Sequence, residues 1–294
     1  MTLNPVGYSS TIDCKGDSLT QGTGGNGQNI ATCLAAFFPH RIVNNHGIGG
    51  QTAQQIAARQ GGLPVTLTVT GGSVPASFAT AAVTPSTQLL STPADNTTRY
   101  ASGIINGNPV TLSRSATGGP PSTSETYTIM AAGNAAAVTP PAWAPFVPDE
   151  GWNSRDSIQV LWLGRNNVGD LSQVPSLIAQ CVSYIHDPKR YVVIGVLAAL
   201  SETSGTTNGI AIAANNATLS TTYGSLYVPS TPPTTAEMTA VGYTPTTQDN
   251  TDIANGVWPT GLRSDITGTI IHLTGPGYMI FANRVKAVID TQGW

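Results

Sequence analysis

This chain has little charge. Only 9% of its 294 residues are Asp, Glu, Lys or Arg, against about a quarter in an ordinary soluble domain. The 12 basic residues form no run and the net charge is −3, so the clustered cations that displace counterions from a nucleic acid are missing. No apolar run reaches the ~18 residues of a membrane-spanning helix. The opening MTLNPVGYSS has neither the basic region nor the apolar core of a secretory signal. A location outside the cell would therefore need a signal already removed, or another route such as phage lysis. Cysteine is also scarce. Cys14, Cys33 and Cys181 show no Cys-x-x-Cys spacing and no neighbouring His pair, which argues against a zinc site, and no cofactor is expected. Each cysteine reads as a small buried apolar residue. Whether Cys14 and Cys33 are joined stays open, because spacing does not give disulfide geometry.

Gly, Pro, Ser, Thr, Ala and Asn fill the place of the missing charge, and 40% of the residues are hydrophobic. That is enough for a folded core. The balance resembles that of a secreted or virion-surface protein more than a cytosolic enzyme.

The chain begins with alternating strand and helix signals. YSSTIDC reads as a strand, GQNIATCLAAFFP as a helix ending before Pro39, HRIVNN as a short strand, and TAQQIAARQ as a helix capped by Thr52. From about residue 62 to 150 the helical period disappears. Short Thr- and Val-rich runs such as PVTLTVTG, NPVTLSRS and ETYTIMAAG are punctuated by Gly, Pro and Ser, the pattern of a small all-β unit. Alternation then resumes. DSIQVLWLG and RYVVIGVLAAL are nearly continuous apolar runs, as expected of strands covered on both faces. Val174, Leu177, Ile178, Cys181, Val182 and Ile185 form one helical stripe, and NATLSTTYGSL is a weaker helix candidate. STPPTTAEMTAVGYTPTTQDNTDIANG reads as a long irregular connection, and GYMIFANRVKAVID closes the chain as a helix. Alternating units imply a parallel sheet covered by helices, with ligands beyond the carboxyl ends of its strands.

Three of those ends carry the polar residues and glycines fit for chemistry: CKGDSLT, VNNHGIGGQT and WLGRNN. Gly16-Asp17-Ser18-Leu19, the Asn45–Thr52 segment, Gly164-Arg165-Asn166-Asn167 and His272 before the last helix occur in order. Together they resemble the four blocks of the GDSL/SGNH hydrolases. The resemblance covers roughly residues 7–61 and 151–294. It implies a flavodoxin-like three-layer α/β/α sandwich over residues 1–61 and 151–294, with 62–150 inserted as an all-β domain. It also implies Ser18 as nucleophile, His272 as general base, and an oxyanion hole from the Ser18 and Gly50 N–H groups and the Asn166 amide. The chemistry is coherent. A serine hydroxyl needs a base within hydrogen-bond reach, a tetrahedral oxyanion needs pre-aimed donors, and a neutral amide donates without losing a proton.

Two positions depart from the family pattern. Asn167 stands where Asp is usual, and an amide there can keep the loop hydrogen bonds. The family's Asp-x-x-His places Thr269, not Asp, three residues before His272. Two readings follow. Either the ITGT segment loops out and Asp265 orients His272, or Ser18 and His272 form a dyad oriented by the Thr269 carbonyl or hydroxyl. Asp17 reads as a turn residue, Trp162 as core, and His40, His46 and His186 as solvated or structural. Arg165 reads equally as a substrate contact and as a solvated loop residue.

The resemblance implies a serine esterase, and the absence of an apolar lid helix favours short acyl groups. The β insert leaves the core just after the second block, at the expected rim of the site. Its Thr, Ser, Asn and aromatic residues, Tyr100, Tyr127, Trp143 and Phe146, suit sugar contact. An acetylated carbohydrate or surface polysaccharide is the expected substrate, and an extracellular or virion-associated location, as on a phage tail, the expected setting. The competing reading is a catalytically inactive module for binding or virion structure.

Overall fold

Runs that are apolar on both faces become the centre of a parallel sheet, and alternating Thr/Val runs become a barrel. A computed structural model describes residues 9–119, 122–132, 137–140, 143–265 and 267–294. The chain opens with β1 (Ile12–Gly16), α1 (Ser18–Gln21), α2 (Ile30–Phe37), β2 (Val43–Gly47) and α3 (Ala53–Gln60). Six strands follow, β3 (Val65–Val69), β4 (Thr80–Pro85), β5 (Arg99–Ile105), β6 (Asn108–Thr117), β7 (Ser124–Ala131) and β8 (Ala144–Pro148). Next come α4 (Asp149–Asn153), β9 (Ile158–Trp162), α5 (Val174–Tyr184), β10 (Tyr191–Ile194) and α6 (Thr207–Tyr223). The chain ends with β11 (Tyr227–Val228), α7 (Thr235–Ala240), α8 (Thr247–Ala254) and α9 (Gly275–Gln292). Among the described residues no helix is long and apolar enough to cross a membrane.

Two compact units divide these elements. One holds the chain up to Ala53, Asp156–Ile178 and Asp187–Trp294; the other holds Gln54–Arg155 and Ala179–His186. In the first, five parallel strands lie in the order β11-β10-β9-β1-β2. Ile12 aligns with Val43 on one side and Ile158 on the other. β1 and β9 are buried at every position, as both-sided apolar runs require. The core joins Cys14, Val160, Trp162 and Ile194 of the sheet to Leu34 of α2 and Phe281 of α9. The Phe281 ring lies parallel to Trp258 at 4.7 Å and tilted against Trp162 at 4.5 Å. The chain runs outward from β1 to β2 and later returns to the other flank of β1 as β9. Such a reversal opens a crevice at the strand carboxyl ends.

In the second unit β3-β4-β7-β6-β5-β8 close into an antiparallel barrel, the last joint being Val65 opposite Phe146. Alternate residues point inward, so Leu67, Leu112, Ile129 and Phe146 form its core. Arg114 is also inside and fully buried, held by Glu125 and by the carbonyls of Thr92, Asp95 and Thr97.

The expected flavodoxin-like three-layer sandwich is corrected by these findings. The chain combines a small five-stranded parallel sheet with a closed six-stranded antiparallel barrel, and most of its strand residues lie in the barrel. The barrel closes because its first and last strands pair, which puts every strand edge into a ladder. Sugar contact through Tyr127 and Phe146 is corrected as well. Both are buried barrel-core residues, whereas Tyr100 and Trp143 are exposed.

Smaller differences have local causes. The supposed irregular connection contains α7 and α8, each opened by a capping box, Thr234 with Glu237 and Thr246 with Asp249. α6 begins well before the segment read as helical, because Thr206 caps it by accepting from the Gly209 N–H. Tyr8 of the first expected strand, Gly133 of the ETYTIMAAG run and the opening MTLNPVG lie outside the described residues.

Candidate active site

β1 and β9 deliver their following residues to the crevice. Asp17 caps α1 by accepting the Leu19 N–H at 2.9 Å, which turns the chain and leaves Ser18 half-buried. His272, just before α9, places Nε2 2.9 Å from Ser18 Oγ. Its Nδ1 lies 3.0 Å from Asp265 Oδ1. The other oxygen, Oδ2, accepts the backbone N–H groups of His272 at 2.8 Å and Ile271 at 3.0 Å. Burial pushes the Asp265 carboxyl upward, but these amides and the His272 ring outweigh it and hold the group below the usual carboxylate range. An ionised Asp265 at Nδ1 requires the ring proton there, which leaves Nε2 to accept from the serine hydroxyl.

Thr269 is exposed and lines a neighbouring cleft. Of the two readings for orienting the ring, the carboxylate is thus the one in contact. Of the intervening ITGT segment, Ile266 lies outside the described residues.

The three residues expected to form an oxyanion hole are held by separate means. Among the described residues neither the Ser18 nor the Gly50 N–H has an intramolecular partner. Gly50 has φ +76°, a conformation that a side chain would strain. Asn166 donates one amide hydrogen to the Gln51 carbonyl at 2.9 Å, and a primary amide keeps a second to offer. Asn167, at the family's Asp position, accepts the Ala53 N–H at 2.8 Å through Oδ1, an acceptor role that a carboxylate would also fill. The second block is tied to α1. Asn45 donates to the Thr20 carbonyl, and Gln21 accepts the Gly49 N–H at 2.9 Å. A Cβ on Gly47 would lie 2.1 Å from the Gln21 nitrogen, so only glycine permits this approach.

Two arginines brace the segments around the site. Arg165 forms a two-pronged ion pair with Glu202, at 2.5 and 2.9 Å, and donates to the Leu197 carbonyl. Burial alone would raise the Glu202 carboxyl, but Arg165 and the Ala199 N–H hold it low. Arg263, buried and lowered to about 10 by burial, donates to the carbonyls of Trp258, Ile270 and Ala198. It thereby pins the segment that carries Asp265 and His272. His46 has a structural setting against buried Asp13 at 2.7 Å, while His40 and His186 are exposed. Trp162 is core. All three cysteines are buried and free. Among the described residues no group of three His, Cys, Asp or Glu side chains could hold a metal.

Over 270 residues the chain is 28% identical to the tail spike protein of Salmonella phage epsilon15, an alignment that covers 86% of this chain and 25% of that protein. The chain thus spans about a quarter of the length of this relative. No family model and no solved structure matches it.

Proposed function

We propose that the chain is a serine ester hydrolase for short acyl esters, with O-acetyl groups on a carbohydrate or surface polysaccharide as its substrates. The observation that carries this reading is the continuous series Ser18–His272–Asp265, with contacts of 2.9 and 3.0 Å. In the proposed reaction His272 Nε2 takes the proton of Ser18 Oγ as Oγ attacks the ester carbonyl. The carbonyl oxygen gains negative charge facing the Ser18 and Gly50 N–H groups and the free Asn166 amide hydrogen. Collapse expels the alcohol, which receives the proton from His272. Water, deprotonated by the same nitrogen, then releases the acid and restores Ser18. Asp265 holds the ring tautomer and stabilises the imidazolium.

The likeness to a tail spike protein supports a virion-associated setting. It also favours a second reading, an inactive binding or structural module of a virion. Turnover of p-nitrophenyl acetate by the purified chain separates the two. We expect hydrolysis that Ser18→Ala abolishes and that Asp265→Asn lowers by up to roughly 10⁴-fold in kcat, as loss of a triad carboxylate does in serine proteases. An intact chain without activity would favour the binding reading, and a fully active Ser18→Ala would remove Ser18 from the reaction.

A further inference from the structure

A cleft of about 600 Å³ in the α/β unit is lined by Arg165, Asn166, Ser201, Glu202, Asn208 and Thr269 among others. Asn166 is the amide proposed above to face the oxyanion, and Thr269 belongs to the Asp265–His272 segment. The cleft therefore borders two of the segments that carry the proposed site. Its volume falls within the range of sites that enclose whole small molecules, about 300–1,000 Å³, and an acetyl group would fill only a corner of it. Its side chains are hydroxyls, amides and one ion pair, with Val168 the single apolar exception. An alkyl chain entering it would strip water from these polar groups without replacing their hydrogen bonds, whereas a ring of hydroxyl groups can exchange hydrogen bonds with them.

The charge of the cleft is already balanced internally. Both Glu202 oxygens are engaged by the Arg165 guanidinium, and Glu202 also accepts the Ala199 N–H at 2.7 Å. Both members are largely buried. Neither cation nor anion is left over for a charged ligand, and an acid entering the cleft would meet Glu202 as well as Arg165.

We propose that this cleft is the binding site for an uncharged, hydroxyl-rich saccharide ring, the alcohol part of the ester, with Asn208 and Ser201 as its hydrogen-bonding contacts. The proposal rests on the ester-hydrolase reading for its chemistry, and on the cleft alone for its ligand.

The test compares methyl 6-O-acetylglucoside, a methyl glucuronoside acetylated on a ring hydroxyl, and p-nitrophenyl acetate. The wild-type chain should prefer the glucoside ester over the glucuronoside by tenfold or more in kcat/KM. The double variant Asn208→Ala/Ser201→Ala should lower the ratio of glucoside to p-nitrophenyl acetate turnover by at least tenfold. Both substitutions are at exposed positions, so folding should survive. Glu202→Gln leaves Arg165 without its counter-charge and should shift preference toward the glucuronoside. A wild-type preference for the glucuronoside, or an unchanged ratio in the double variant, overturns the assignment. If the intact chain hydrolyses none of the three, titration calorimetry with methyl glucoside decides the cleft separately. Binding that is lost in the double variant supports it, and no binding refutes it.

Discussion

Asp17, the residue before Ser18, is 1% exposed, and its Oδ2 has no hydrogen-bond partner among the described residues. Burial raises its carboxyl to about 7, against a smaller opposing pull from the Leu19 N–H and Arg165. Between roughly pH 4 and pH 7 the folded chain therefore keeps a proton that the unfolded chain releases. Its contribution to stability is complete below the unfolded value and is lost as pH rises through 7. Asp17→Asn keeps an acceptor for the Leu19 N–H and removes this titration. Urea midpoints at pH 5 and pH 8 should fall further apart in the wild type than in the variant; equal spacing would mean that the carboxyl is ionised throughout. At this scale the motif pattern marks Ser18 and His272, which the fold brings to 2.9 Å from each other. Asp265 stands outside the family spacing, so only the folded chain shows that its carboxylate meets the ring. Glu202 gave no signal at all. It sits in a Ser/Thr/Gly-rich stretch, and only the fold brings it to Arg165.

Among the elements, β6 and β7 share a fully buried guanidinium. Arg114 on β6 meets Glu125 on β7 through Nε at 2.9 Å and Nη2 at 2.5 Å. A buried ion pair is weak evidence of net stabilisation, but breaking one member is costly. Glu125→Gln should lower unfolding stability by about 3 kcal/mol, the low end of the range for such pairs because Glu125 keeps some solvent contact. Replacing both members, Arg114→Met with Glu125→Leu, should recover most of the loss. Denaturant midpoints of the single and double variants measure this, and a silent Glu125→Gln would show that the carbonyls alone hold Arg114. Individual strands here were visible in the sequence because alternation is a local signal. Closure was not, since it depends on Val65 meeting Phe146 across the whole segment. α7 and α8 carry Thr-x-x-acid caps in the sequence, but both helices are short and their Thr- and Pro-rich flanks read as loop.

On the scale of the whole molecule, each unit has its own hydrophobic core. Multi-domain chains commonly depart from a single two-state transition. Calorimetry should resolve two unfolding events. Leu112→Ala, a cavity in the barrel worth roughly 2–5 kcal/mol, should lower one of them and leave both the other and the proposed hydrolysis of p-nitrophenyl acetate in place. One broad transition shifted as a unit would mean that the cores unfold together.

The base of the barrel unit has a consequence of a different kind. A Cβ on Gly151 would lie 2.2 Å from the Gln60 carbonyl oxygen, and Arg59 grips Glu150 at 2.8 Å. The departing and returning chain thus touch before the barrel begins. In polymer terms everything between them is a loop with pinned ends, and doubling the length of such a loop costs only about 0.6 kcal/mol. What lies between the pins can lengthen, shorten or be exchanged for another module with little effect on the closing of the loop. Sequence variation can therefore accumulate there while the Ser18–His272–Asp265 series stays as it is.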